Sequence, residues 1–371
     1  MPDMTFREMN LRVFERQPIP QVFFQPRIEP WYQWHTRRKL LPEPLRDLAL
    51  PETFDWLGAS MRYLNYHTGI PNAVVSQVKP EVKVRERLDR TEQAWSCETP
   101  FGDLTQVQRL TEEGSWRTVE YLVKSQDDLR ALRWLCERTT YSFSTEIYEL
   151  GNRFMGDRGE PQFFLPRSPY QALVVQWMTL PDLVYALADA RDQVEDVMRA
   201  IDASYDQVFE EVAGSGRVKI AGFGENVEAQ LLSPKYFERY LLPYYQKRVS
   251  ALRHASIFSH VHIDGNFRAL MRFFKDLPFD GLEALTPAPM GDATLEDIKE
   301  HIGDKILLDG LPAIFFMDTY SRDELMQTVE KIAALFHPRL ILGISDELPQ
   351  GGGLEAMERC KLVAEWCRRH G

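Results

Sequence analysis

Two histidines and an aspartate occupy alternate positions in Ser259-His260-Val261-His262-Ile263-Asp264-Gly265-Asn266. Imidazoles and carboxylates so spaced can bind an ion or move a proton. The run Ala255-Ser256-Ile257-Phe258 reads as a short buried strand, Asp264-Gly265-Asn266 as a turn, and Phe267 to Phe274 as an amphipathic helix. The cluster therefore falls on a strand-to-helix junction. His262 and Asp264 are two residues apart, which puts both side chains on one strand face, with His260 deeper on the same face as a supporting residue. A neutral imidazole with two or three carboxylates suits zinc or another borderline divalent ion that keeps one position open. The rival chemistry uses the same groups without metal, a buried carboxylic acid of raised pKa protonating a leaving group. No Gly-x-Ser-x-Gly is present, and no cysteine stands at a strand end, so a serine or cysteine nucleophile is not indicated.

The elements that position these residues follow from periodicity. Thr5-Phe6-Arg7-Glu8 is a capping box, and an N-terminal helix is expected within residues 1–20, ended by Pro18 and Pro20. Gln21 to Gln25 reads as a first strand, followed by the aromatic segment Trp31-Tyr32-Gln33-Trp34-His35. Residues 82–124 alternate apolar and charged with turns at Gly102-Asp103 and Glu113-Gly114-Ser115, the signature of an inserted antiparallel meander with one wet face. A helix opens at Ser125-Gln126-Asp127-Asp128, a strand lies at Gln162 to Leu165, and a helical tract runs from about Pro181 to Val212. Strands are then expected at Val218–Phe223, at the cluster itself, at Gly281–Leu285, at Lys305–Asp309 and at Arg339–Ile344, each followed by a helix. Five consecutive strand-plus-helix units over 215–371 imply a parallel sheet with right-handed crossovers. The fold expected is α/β, a (β/α)8 barrel, with 1–371 a single decorated domain.

Each of the five strands ends in a carboxylate or an imidazole: Glu225 with Asn226, then His260, His262 and Asp264, then Glu283, then Asp309, then Asp346 and Glu347 beside Ser345. On a barrel such ends converge at one mouth. Gly351-Gly352-Gly353 follows the last strand as a flexible loop over that mouth. No Gly-x-Gly-x-x-Gly follows any strand, which disfavours an open dinucleotide-binding sheet.

Composition narrows the partner. The chain has 371 residues, 44% of them hydrophobic, and a formal net charge of -11. That charge argues against nucleic acid and against anionic membranes, and leaves a small molecule or a protein. No apolar run reaches the roughly 18 to 20 residues of a membrane span. Met1-Pro2-Asp3-Met4 lacks a signal-peptide layout, so a cytoplasmic location is expected. The four scattered cysteines form no Cys-x-x-Cys pair. A homodimer is left open.

The C-terminal half resembles the uroporphyrinogen decarboxylase superfamily and, within it, the corrinoid-dependent methyltransferases. The matching text is Ser233-Pro234-Lys235-Tyr236-Phe237 with Leu242-Pro243-Tyr244-Tyr245, His262-Ile263-Asp264-Gly265-Asn266, Gly281-Leu282-Glu283-Ala284, Gly303-Asp304-Lys305, Leu308-Asp309-Gly310, and Leu342-Gly343 ahead of Ser345-Asp346. The resemblance implies a (β/α)8 barrel with its site at the carboxyl mouth. The family's decarboxylases hold an acidic porphyrin with N-terminal arginines, and the comparable piece here is Gln25-Pro26-Arg27. Its zinc methyltransferases use a His-x-Cys pair and a later Cys. Here His262 matches the histidine, Asp264 stands at the first cysteine and Asp346 near the second. An oxygen-rich set suits an oxygen-bearing substrate better than a thiol, and this resembles the O-demethylase members of the branch.

That resemblance implies methyl transfer from a small methylated donor, best an aryl methyl ether, to the corrinoid of a separate protein, with tetrahydrofolate an open alternative acceptor. It implies zinc held by His262, Asp264 and Asp346, with Glu225, Glu283 or Glu347 as a further ligand or the acid. Trp31, Trp34 or Trp56 is expected to stack on the donor, and Asn266 and Asp309 to contact it. The alternative is a decarboxylase acting on a small acid without corrinoid.

Overall fold

The computed structural model describes residues 4–112 and 114–370. The chain divides into two compact units, one built from Val74–Phe143 and Pro166–Gly214, the other from Met1–Ala73, Ser144–Leu165 and Ser215–Gly371.

In the first of these, β1 (Val74–Val78) pairs antiparallel with a later strand, Thr139–Phe143. Between them lie β2 (Val84–Leu88), β3 (Glu92–Cys97), β4 (Leu104–Leu110) and β5 (Trp116–Glu120), a four-stranded antiparallel meander in sequential order. Strands β3 and β4 are half-buried along most of their length and β2 is exposed along most of its own, so none of the three shows a buried-exposed alternation. Gly102 and Gly114 supply left-handed turns, with φ of 122° and 88°, a conformation that costs glycine nothing. Glu113, expected in the second turn, lies outside the described residues. The tract expected from Pro181 to Val212 is three helices, Leu180–Asp189, Arg191–Ser204 and Asp206–Gly214.

The other unit carries a six-stranded parallel sheet. With β6 assigned to Thr139–Phe143, its strands are β7 (Phe164–Leu165), β8 (Ile220–Val227), β9 (Phe258–Ile263), β10 (Gly281–Glu283), β11 (Ile306–Pro312) and β12 (Leu340–Ser345). Their order is β12-β11-β10-β9-β8-β7, each strand beside its neighbour in sequence. A doubly wound sheet reverses direction at a switch point, and this order does not. The segment expected as a first strand, Gln21 to Gln25, makes one isolated parallel bridge, Phe24 to Leu342 of β12. A second, Tyr63 to Gln162, lies next to β7, and the Ser60 N–H donates to the Phe24 carbonyl at 2.8 Å.

Helix α1 (Phe6–Phe14) begins with the expected capping box, the Thr5 hydroxyl accepting from the Glu8 N–H. Its Met9, Val13 and Phe14 pack with Phe23, Ile220, Ile306, Leu308 and Ile341 in one buried apolar cluster. That cluster joins α1 to strands β8, β11 and β12. The cluster that opens the sequence argument is placed differently from expectation. Ser256 takes a left-handed φ of 58°, which interrupts the run before Phe258. The strand starts there and contains both histidines. Phe267 to Phe274 is a tight 3-10 helix, Arg268–Asp276, that still buries Leu270, Met271 and Phe274. Among the described residues no helix is long and apolar enough to cross a membrane.

Candidate active site

A buried arginine organises the carboxyl ends of the strands. Arg62, 1% exposed, grips Asp309 with two donors, Nη1 at 2.9 Å and Nη2 at 2.7 Å, and gives Nη1 also to Glu283 at 2.9 Å. Its Nε donates to the Gln25 amide oxygen at 2.8 Å, while the Gln25 Nε2 is held by Asn10, Ser60 and the Met61 carbonyl. A planar guanidinium is suited to this forked grip, and an ammonium is not. Asp309 reaches it because its backbone is left-handed, φ 79°, and because residue 343 is glycine: a Cβ there would clash with the Asp309 carboxylate.

Glu283, at the end of β10, is the second centre. The Tyr63 hydroxyl donates to its Oε1 at 2.5 Å, and Arg27 stands 3.9 Å from the same oxygen. The parallel register sets Glu283 beside His262 and Gly281 beside His260. Both imidazoles turn Nδ1 toward the Glu283 Oε2, His260 at 3.2 Å and His262 at 3.6 Å. Neither contact has hydrogen-bond geometry, so the Glu283 Oε2 and both Nδ1 atoms are buried without a directed partner. On its other nitrogen His260 meets the Gln162 amide oxygen at 2.8 Å, and the Gln162 Nε2 is also buried without a partner. Native interiors pair nearly all buried polar atoms, and exceptions gather at working sites.

Burial alone would raise the Glu283 carboxyl. The approach of His260 and His262 and the charge of Arg62 outweigh it and hold the group well below the usual carboxylate range. Burial raises Asp309 above its ordinary value, with Arg62 opposing. The Tyr63 phenol is pushed well up by burial and by the Glu283 charge. Arg27 and Arg62 remain cations because the surrounding carboxylates overcome the cost of burying them.

Beside this network is a second acidic group. Arg27 gives Nη2 to the Asp346 carboxylate at 2.9 Å and Nε to its carbonyl, and its own carbonyl accepts from Leu348 N–H at 3.0 Å. The Tyr66 hydroxyl donates to Glu347, whose carboxyl burial raises above its ordinary range. Glu29 opens helix α2 (Glu29–Arg38) fully buried, its Oε2 unpartnered, and burial pushes it to about 8. A carboxyl raised from 4.5 to about 8 stabilises the fold fully below 4.5, and that stability is lost as pH rises through 8. Denaturant midpoints from about pH 5 to about pH 9 should fall in the parent by on the order of a few kcal/mol from this group, and Glu29→Gln should flatten that decline.

The expected residues are distributed as follows. His262 and Glu283 come together, with Asp309 joined to them through Arg62. Asp264 is half-buried just past β9, one oxygen accepting from its neighbour Gly265 N–H at 2.7 Å and the other from Asn226 at 3.3 Å. The side chain of Asp346 is 53% exposed and is neutralised by Arg27. Among the described residues no three His, Cys, Asp or Glu side chains are arranged to hold a metal ion. The set His262, Asp264 and Asp346 is thus not assembled, because a turn amide and a guanidinium take up the two carboxylates.

Glu225 is buried on β8, and the Asn266 carbonyl caps Ala229 N–H at 2.7 Å. Trp31 is buried, stacked on His35, with its indole N–H on the Gly352 carbonyl. That contact ties the triglycine loop to α2. Trp34 lies under Arg38 and Trp56 under Lys361. Tyr63, Tyr66 and Phe164 are aromatic side chains that do meet the network.

No family model matches the sequence, and no curated protein does. Among solved structures the chain is similar to a methyltransferase from Methanosarcina mazei, at 14% identity and a TM-score of 0.59, covering 98% of this chain and 99% of that one. It is also similar to a B12-independent methionine synthase from Shewanella sp. W3-18-1, at 11% identity and a TM-score of 0.44 over 85% of each chain. A third similarity is to the IolI protein with a bound zinc atom, at 13% identity and a TM-score of 0.33 over 61% of this chain. The first likeness shows a shared fold over nearly the whole length.

Proposed function

We propose that the chain is a methyltransferase that takes a methyl group from a small methyl ether, best an aryl one, and passes it to the corrinoid of a separate protein. The observation that carries this reading is the convergence of Glu283, His260 and His262 on buried, unpartnered polar atoms. The fold shared with the M. mazei protein supports it. The reading takes the sheet as closed into a (β/α)8 barrel through the Phe24 and Tyr63 bridges.

In the reaction the C–O bond of the ether breaks as the methyl carbon takes an electron pair from the reduced cobalt acceptor. The leaving oxygen gains a proton. Glu347, protonated to higher pH than an ordinary carboxyl, supplies it. Glu283 remains ionised and faces the Nδ1 of both imidazoles, and a ring N–H of His262 donates to the developing oxyanion. Asp309 holds Arg62, and Arg62 holds Glu283.

The decarboxylase reading needs cations free to bind an acidic substrate. Arg27 and Arg62 are both engaged with Glu283, Asp309 and Asp346. The test is incubation of the purified protein with cob(I)alamin and methoxybenzene, followed by chromatography. Phenol and methylcobalamin in equal amounts are expected. Carbon dioxide from a small acid, with no methylcobalamin from any ether, would replace this reading with the decarboxylase.

A further inference from the structure

The end of helix α1 singles out one arginine. The Arg16 N–H donates to the Val13 carbonyl at 3.2 Å, and the Gln17 N–H to the Arg12 carbonyl at 2.8 Å. This pair of bonds satisfies the last turn of a helix and requires a left-handed residue just beyond it, where glycine is the usual occupant. Here that residue is Arg16, with φ of 60°. A residue with a Cβ is strained in this conformation and glycine is not. Strain of this kind persists where the side chain has a task.

Arg16 lines a cleft of about 500 Å³, a size that holds a small organic molecule. Asp304 and Arg339 also line it and stand just before β11 and β12, so the cleft lies at the amino ends of these strands, away from the carboxyl ends that carry the network. Val13, Ile19 and Pro338 form its apolar side. Asp304 is 3.3 Å from the Lys305 ammonium. Among the described residues neither the Arg16 nor the Arg339 guanidinium makes a hydrogen bond or an ion pair. The chain has 55 acidic side chains to 44 basic ones, so two guanidiniums without a carboxylate partner on one cleft stand out. Partial burial pushes Arg16 below its ordinary value, Asp304 and Asp280 oppose this, and the Arg339 charge adds to it. An anion between the two guanidiniums would relieve both the burial and the repulsion.

We propose that this cleft is a second ligand site, for a phosphate monoester on a small apolar body. Arg16 and Arg339 grip the phosphate, and Val13, Ile19 and Pro338 cover the body. A phosphate dianion balances two cations, and guanidiniums present paired donors to its oxygens. The site rests on no reading of the reaction at the other end of the strands.

The probe is phenyl phosphate, titrated calorimetrically into the full chain at low salt and about pH 8, where it is a dianion. Benzoate is the singly charged control. The parent should bind phenyl phosphate with a dissociation constant of about 10 μM to 1 mM, and benzoate at least about 10-fold more weakly. Arg16→Gly and Arg339→Gln should each weaken phenyl phosphate by about 10-fold or more. Arg191→Gln, at the start of the helix Arg191–Ser204 in the other unit, should leave its affinity unchanged. Arg16→Gly should also unfold at a denaturant midpoint no lower than the parent's, because glycine relieves the left-handed strain. No binding by the parent overturns the site and leaves Arg16 as a charge at a helix end. Benzoate binding as tightly as phenyl phosphate, affinity that survives both cleft variants, or an equal loss with Arg191→Gln overturns it too. So does a midpoint lowered by Arg16→Gly, since the arginine would then be kept for the fold.

Discussion

Replacing Glu283 by glutamine should reduce methyl transfer by about 100- to 10,000-fold while leaving the fold in place. The amide has the same shape and keeps an oxygen for Arg62 and Tyr63, which approach Oε1. The change falls on the other atom. The Oε2 faces both imidazole Nδ1 atoms, and an amide NH2 there replaces the carboxylate oxygen that orients both rings with a donor. Because the oriented ring acts on the leaving oxygen only as charge develops there, the loss should appear in kcat more than in KM. Single-turnover release of phenol, with near-ultraviolet circular dichroism as the check on folding, measures it. A Glu283→Gln protein that turns over within a few-fold of the parent removes the imidazole pair from the chemistry.

Arg62→Met should be the most damaging single change to stability. The substitution keeps length and an apolar stem but leaves Asp309 and Glu283 buried without their shared cation. Breaking a buried pair on one side costs about 3 to 5 kcal/mol. Both carboxylates are fully buried here, so solvent cannot take over the role of the guanidinium. Denaturant unfolding should show the midpoint falling with little change in slope. Adding Asp309→Asn should recover part of the loss, since the second change removes one of the stranded charges. If the single variant is as stable as the parent, Arg62 does not organise the site.

Much of the scaffold was legible because its signals are local. The capping boxes at Thr5, Ser125, Thr294 and Ser321 each place a side-chain acceptor and an acid three residues apart, and each starts a helix. Ile306-Leu307-Leu308 of β11 and Leu340-Ile341-Leu342-Gly343-Ile344 of β12 are apolar runs. The site was less legible because its contacts are remote. Arg62 meets Glu283 and Asp309 across 221 and 247 residues of chain, and the segment around it carries no turn or periodic pattern that singles it out.

Backbone conformation hid the rest. The left-handed Ser256 shifts the start of β9, so the histidines lie within the strand and not beyond it. The left-handed Asp309 and the small Gly343 turn a residue that reads as turn chemistry into the partner of Arg62. Asp264 and Asp346 have the right spacing for ligands, but their environments differ. One is held by Gly265 and Asn226, the other by Arg27.

The most direct measurement is the cobalamin absorption spectrum after cob(I)alamin and methoxybenzene are mixed with the parent and, separately, with Glu283→Gln. The account predicts conversion of the cob(I)alamin bands to those of methylcobalamin with the parent, and no conversion on the same timescale with the variant. Conversion at equal rates in both, or in neither with any methyl ether, contradicts it.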